Sequence, residues 1–282
     1  MTNLLRIIAA ALFLVPACAV QAHPGAHVVI DYFTTQIREH PAEQALYIQR
    51  GIAYSNDGQF DPALADFRKA EQLGDPAVVA FELGVLHYRK GDFPGARSYL
   101  DAFLAKHPGH PGALEYRARL RRDAGDPLGA VADYRAYFAS VPRPNPGDYS
   151  AAAALLAGVP EQGAAAALAL LDEGMARLGL LPQLQRQAIA LELARGRVDL
   201  AISRQRALEP VLRGSPDWGV EMGELLLRAG RSADARGHFE QAARELAAAR
   251  PTPARLEMAR RAQAGLAATT AAPGGTPAAA VH

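Results

Sequence analysis

Residues 47–70 read YIQRGIAYSNDGQFDPALADFRKA, and their order decides the fold. Two helix-favouring halves flank the turn Asn56-Asp57-Gly58. Small residues stand at Gly51 and Ala63, and aromatics at Tyr47, Tyr54 and Phe67. About thirty-four residues later the same order returns as Gly84, Gly91, Ala96, Leu100 and Pro108, and then again as Ala118, Gly125, Ala130, Tyr134 and Pro142. Self-similarity at a fixed period of this size marks a helical solenoid.

Working outward, the inter-helix glycine recurs at Gly58, Gly91, Gly125, Gly158, Gly196 and Gly230. A small residue early in each second helix recurs at Ala63, Ala96, Ala130, Ala164, Ala201 and Ala235. One turn later stand Phe67, Leu100, Tyr134, Leu168, Gln205 and Phe239. One step is longer, with about three extra residues between Gly174 and Pro182. Each position has a physical reason. Antiparallel helices that cross closely need Gly or Ala where they face each other. The larger side chain fills the space beside that crossing. The inter-helix glycine supplies a positive φ that ends the first helix. A proline after the second helix stops it. One helix pair cannot bury its apolar face alone, so neighbours must stack.

These units resemble the tetratricopeptide repeat, whose pattern is an aromatic, Leu-Gly, Tyr, Ala, Phe, Ala and Pro at fixed offsets. Tyr47, Gly51, Tyr54, Ala63, Phe67 and Ala70 carry the likeness in the first unit. Leu83, Gly84, Ala96, Leu100 and Pro108 carry it in the second, and Gly223, Leu226, Gly230, Ala235, Phe239 and Ala242 in the sixth. The likeness covers residues 42–249, or about six units. It implies an all-α, right-handed superhelical solenoid with terminal capping helices. It also implies a concave groove lined by the first helix of each unit. The implied lining is Ile48, Ile52, Ser55, Val78, Phe81, Val85 and Tyr88, then Glu115, Arg119 and Arg122, then Tyr149, and finally Gln185, Ile189 and Glu192. Of these, Ile48, Ile52, Phe81, Val85, Tyr88, Arg119, Arg122 and Tyr149 are the candidate partner-binding residues. Some relatives hold chaperone tails with a Lys, Asn and Arg clamp. Here the corresponding positions include Ile48, Ile52 and Gly112, so that clamp is not expected.

The flanks differ in character. Residues 1–22 read as an export signal: Arg6 is followed by an apolar run from Ile7 to Val15 and by Val20-Gln21-Ala22 as a cleavage site. A periplasmic or secreted chain starting near His23 is expected. Lipidation at Cys18 is the alternative, set against Pro16, which is stiff where a lipobox wants a flexible residue. Residues 23–41 read as an N-terminal segment with a capping helix from about Val28 to Glu39, and 250–268 as a C-terminal capping helix. Residues 269–282, made mostly of Ala, Pro, Gly and Thr, are expected to be disordered. Cys18 is the only cysteine, so a processed chain would fold by packing without a disulfide. No later segment is long and apolar enough to span a membrane.

Composition narrows the function. Half of the 282 residues are hydrophobic, and the formal net charge is +1. That balance lacks the basic excess of a nucleic-acid protein. No phosphate-cradling glycine loop, serine elbow or His-Glu-x-x-His helix is present. His23 and His27 raise the alternative of a metal-handling tail, but neither has the cysteine or carboxylate company of a firm site, so no metal or cofactor is expected. Asn56 to Asp61 reads as the repeat's turn rather than a calcium loop. Arg117, Arg119, Arg121 and Arg122 form a basic run, with Arg117 and Arg121 where the repeat wants Leu and Tyr. The expectation is a non-catalytic scaffold of the bacterial cell envelope that binds a peptide or protein. The alternative is an accessory subunit of a periplasmic enzyme or transport assembly.

Overall fold

The computed structural model describes residues 25–161, 163–212 and 214–271. Among them are fifteen helices and no strand. The expected signal at 1–22, with Cys18, and His23 lie outside the described residues, as does 272–282. No described helix is long and apolar enough to cross a membrane.

The chain divides into two compact units, with the boundary between Lys106 and His107. The first holds α1 (Ala26–Glu39), the pair α2 (Gln44–Asn56) and α3 (Phe60–Leu73), and the pair α4 (Pro76–Arg89) and α5 (Phe93–Lys106). Its core joins Ile37 of α1 to Tyr47 and Ile48 of α2, Phe67 of α3, and Val79, Leu83 and Leu86 of α4. The second holds α6 (Pro111–Asp123) with α7 (Pro127–Ser140), α8 (Pro146–Ala157) with α9 (Gly163–Leu178), and α10 (Pro182–Ala194) with α11 (Val198–Ala207). The short α12 (Glu209–Leu212) follows, then α13 (Pro216–Arg228) with α14 (Ser232–Ala248), and α15 (Pro253–Ala271).

Local chemistry sets the helix ends. Asp75, Asp126 and Asn145 each precede a proline, and each side chain accepts a bond from a backbone N–H of the first turn. The capping oxygen satisfies an orphan donor, while proline loses nothing at a position where its N–H would be unpaired. At the turns, Gly58, Gly91, Gly125, Gly196 and Gly230 have φ between 72° and 79°. Gly158 departs from the expectation: its φ is −77°. There the left-handed residue is Glu161, at φ 65°, because α8 has only 12 residues and the link to α9 is longer.

The close crossings fall where small residues were expected. A β-carbon at Gly51 would stand 2.6 Å from the Phe67 ring, and one at Gly223 would stand 2.8 Å from the Phe239 ring. The fourth pair inverts the scheme: the ring belongs to Tyr149 on the first helix and the glycine is Gly174 on the second. The extra residues before Pro182 extend α9 to 16 residues. The fifth pair is also irregular. Its second helix stops at Ala207, and α12 follows, because Pro210 cannot continue the hydrogen-bond ladder.

Both caps differ in extent from expectation. Helix α1 starts at Ala26, and α15 runs past 268 to Ala271. Thr269 and Thr270 are therefore helical, with hydroxyls donating to Leu266 O and Ala267 O at 2.7 and 2.8 Å. The α15 cap is built into the stack: a β-carbon at Gly265 would stand 2.3 Å from the same Phe239 ring that Gly223 faces.

Candidate functional site

The residues expected to line a groove divide between the two units and between surface and core. Ile48 and Val85 are buried, at 9% and 6% exposure, and Tyr149 is fully buried. These three are core residues and offer no surface to a partner. The reason is that first helices of neighbouring pairs pack on each other, as α2 does on α4, and consume the apolar side chains on that face. Tyr149 stacks on Phe138 with ring centroids 3.9 Å apart, and its hydroxyl accepts from Arg177 at 3.3 Å. Ile52 is half-buried against the first unit's core. Phe81 and Tyr88 are half-buried too, packed on Phe103 and Phe93 at 5.6 and 6.1 Å. His27 is exposed on α1, and among the described residues no three His, Cys, Asp or Glu side chains gather as a metal would need.

The basic run is largely turned inward. Arg117 Nε and Nη2 donate to the two oxygens of Asp133 at 2.9 and 2.7 Å, and Arg121 Nη1 reaches the same carboxylate at 2.9 Å. Arg50 and Asp66 repeat this pair in the first unit at 2.8 and 2.7 Å. The arginine holds the position of Leu83, and the aspartate that of Tyr99. Arg122 Nε donates to Asp123 at 2.7 Å. Arg119 lies between Glu115 and Asp148, with Asp148 at 3.5 Å. Burial pushes the Glu115 and Asp148 carboxyls above the usual carboxylate range, and Arg119 only partly opposes it. Asp148 Oδ2 and the Tyr134 hydroxyl are buried without a hydrogen-bond partner among the described residues. Arg119 therefore holds its own chain together rather than standing open to an acidic partner.

One face with room for a partner is the seam between α10 and α13. A cleft of about 240 Å³ opens there. Ala190 and Leu193 of α10 form its open apolar wall, and the buried Ile189 of α10, Leu225 of α13 and Gln205 of α11 lie at its base. Arg186, Glu221, Glu224 and Arg228 surround it. Gln205 Nε2 donates to Glu221 at 3.0 Å, and Trp218 Nε1 donates to Gln205 O at 2.8 Å. Ile189 belongs to the implied lining, but Gln185 and Glu192 do not reach the cleft. Both are buried, with Gln185 donating to Arg204 O and Glu192 accepting from Arg204 Nε. The sequence signal for the cleft was a helical stripe on each first helix: 186, 189, 190 and 193 on one, and 221, 224, 225 and 228 on the other.

Comparison with known proteins agrees with the stacked helix pairs of the fold. Residues 48–111 and 81–143 match the tetratricopeptide repeat model. No curated protein matches the chain. The chain is similar to the C-terminal part of a repeat-containing protein of this type from Cytophaga hutchinsonii, at 13% identity, over 83% of this chain and 94% of that one, with a TM-score of 0.61. It is similar to a tetratricopeptide repeat protein from Parabacteroides merdae, at 15% identity, over 78% of this chain and 98% of that one, with a TM-score of 0.51. It is also similar to a chain of the APC/C hetero-tetramer Cut9–Hcn1, at 16% identity, over 77% of this chain and 39% of that one, with a TM-score of 0.51. The chain thus has the all-α fold of stacked tetratricopeptide repeats, and residues 48–143 carry that family's sequence pattern.

Proposed function

We propose that this chain is a non-catalytic adaptor of the bacterial cell envelope that holds a protein partner on the seam between α10 and α13. The observation that carries the reading is the cleft there, apolar along its wall and charged at its edge. Protein-binding sites share that arrangement, an apolar centre within a polar rim. The Cut9–Hcn1 hetero-tetramer includes a chain of similar fold, which supports a role in protein assembly. The location rests on residues 1–22, whose Arg6, short apolar run and small-residue end have the form of a cleaved export signal.

A photo-crosslinking residue at Ala190, which is exposed within the cleft, tests the adaptor reading in intact cells. A protein adduct is expected there and not from the same residue at Arg236, which is exposed on α14. Equal adducts from both positions, or none from Ala190, would refute the adaptor reading for this face. Mass spectrometry of the fractionated chain tests the location. A periplasmic form starting at His23 is expected, and a cytoplasmic form retaining Met1 would overturn it.

A further inference from the structure

We infer that the outer face of α1 is an interface with a second copy of this chain, made by two α1 helices lying antiparallel across a two-fold axis. A terminal helix of a stacked-repeat protein needs a polar outer side. Helix α15 meets that need with Arg255, Glu257 and Arg260, all exposed. Helix α1 does not. Ile30 and Ile37 are buried on its inner side. On the opposite side, at steps of four and three residues, stand Val28, Tyr32 and Thr35, with Val29 beside them. Val28, Val29 and Tyr32 are 70%, 44% and 59% exposed. Among the described residues, no other helix exposes more than one large apolar side chain. The Tyr32 ring is braced edge-on by Phe33, with centroids 5.2 Å apart, as suits an anchor held ready for contact. The apolar surface continues past Val29 into a hollow lined by Gly25, Ala26, Ala53 and Asn56.

Charge selects the occupant. Asp31 and Arg38 stand two turns apart on one flank of the stripe, both exposed, and no ion pair of the described residues engages either. A two-fold axis midway between them sets each Asp31 against the Arg38 of the other copy. A parallel arrangement would oppose like charges. A two-fold contact uses the same patch on both copies, so one self-complementary helix suffices. Head-to-tail stacking on α15 would instead press the apolar stripe on the charged side of that helix. Residues 1–22 are no rival once cleaved at the expected site. Helix α1 has 14 residues and is therefore about 21 Å long. A contact of that length buries less than the roughly 800 Å² per partner of a standard interface, so the association is reversible.

Sedimentation velocity on the chain purified from cells, its N-terminus read by mass spectrometry, tests this. Wild type is expected to pass from monomer to dimer between about 1 and 300 µM, the range of a small interface. Tyr32→Ser removes an exposed anchor from both copies and should weaken the dimer at least about tenfold, with an unchanged circular dichroism spectrum. Asp31→Arg and Arg38→Asp each turn two attractions into repulsions and should each weaken it roughly tenfold. The two changes combined should restore it. A monomer that starts at His23 and persists at every concentration would overturn the inference and leave the envelope location standing. A monomer retaining residues 1–22 would overturn both and give the face to that segment. Dimers indifferent to Tyr32→Ser, or not restored by the combined exchange, would also overturn the inference.

Discussion

Replacing Asp133 by Ala should loosen α6 and α7 through their shared ion pair. The carboxylate is nearly buried, with its side chain 5% exposed; it receives two guanidinium hydrogens from Arg117 and forms an ion pair with Arg121. Removing one partner of a fully buried pair costs about 3–5 kcal/mol. Here the arginine side chains are 20% and 28% exposed, so water rehydrates part of what is lost. The expected cost is therefore about 2–3 kcal/mol, between the buried and surface limits. Hydrogen exchange read by mass spectrometry suits a stacked protein, whose units need not open together. Amides of α6 and α7 should exchange about 30–150-fold faster, at 1.4 kcal/mol per tenfold. A double replacement, Arg117→Leu with Asp133→Tyr, installs the apolar pair that unit two carries as Leu83 and Tyr99. It should recover most of the lost protection, since a well-packed apolar pair commonly equals a buried ion pair. Exchange unchanged in Asp133→Ala, or a double variant no better than the single one, would refute the reasoning.

Two glycines on neighbouring helices should respond oppositely. Gly223→Ala meets the Phe239 ring at 2.8 Å and should cost about 1–3 kcal/mol, whereas Gly237→Ala meets nothing within 4 Å and should gain about 0.5–1 kcal/mol, both read from urea midpoints. Tyr149→Ala should destabilise α8 and α9 by about 3–5 kcal/mol, as loss of a fully buried ring, rather than weaken partner binding selectively. Burial raises the Asp148 carboxyl above its ordinary value of 3.8, so its ionised form costs stability. That cost is absent below the ordinary value and grows as pH climbs through the raised one. Asp148→Asn should therefore be more stable than wild type near pH 7, with the gap closing as pH falls through the carboxylate range. A constant gap in midpoints across that range would exclude this origin.

The stacking was legible because it rests on residues whose size or backbone freedom cannot be replaced. Gly51 under Phe67 and the left-handed turns at Gly58, Gly91 and Gly125 show directly in the chain. Local irregularities were less legible. Glu161 took the left-handed turn from Gly158, and Tyr149 and Gly174 exchanged roles, because helix length shifts which residue meets the crossing. The site was read least well. The repeat pattern says which helix faces inward, but a few tens of degrees of rotation decide whether Val85 or Ala190 meets solvent. That rotation depends on neighbouring helices remote in sequence. The arginine run misled because its partners lie 16 residues away, in Asp66 and Asp133, at a spacing that local charge patterning does not flag.

Trp218, the only tryptophan in the chain, is bonded through its indole to the backbone of Gln205 at the base of the cleft. Nature has thus placed a single intrinsic fluorophore beside the seam. A ligand seated there should shift or quench emission at a wavelength no other side chain contributes to strongly. Titrations of the unlabelled molecule can then follow occupancy with nothing more than a fluorimeter.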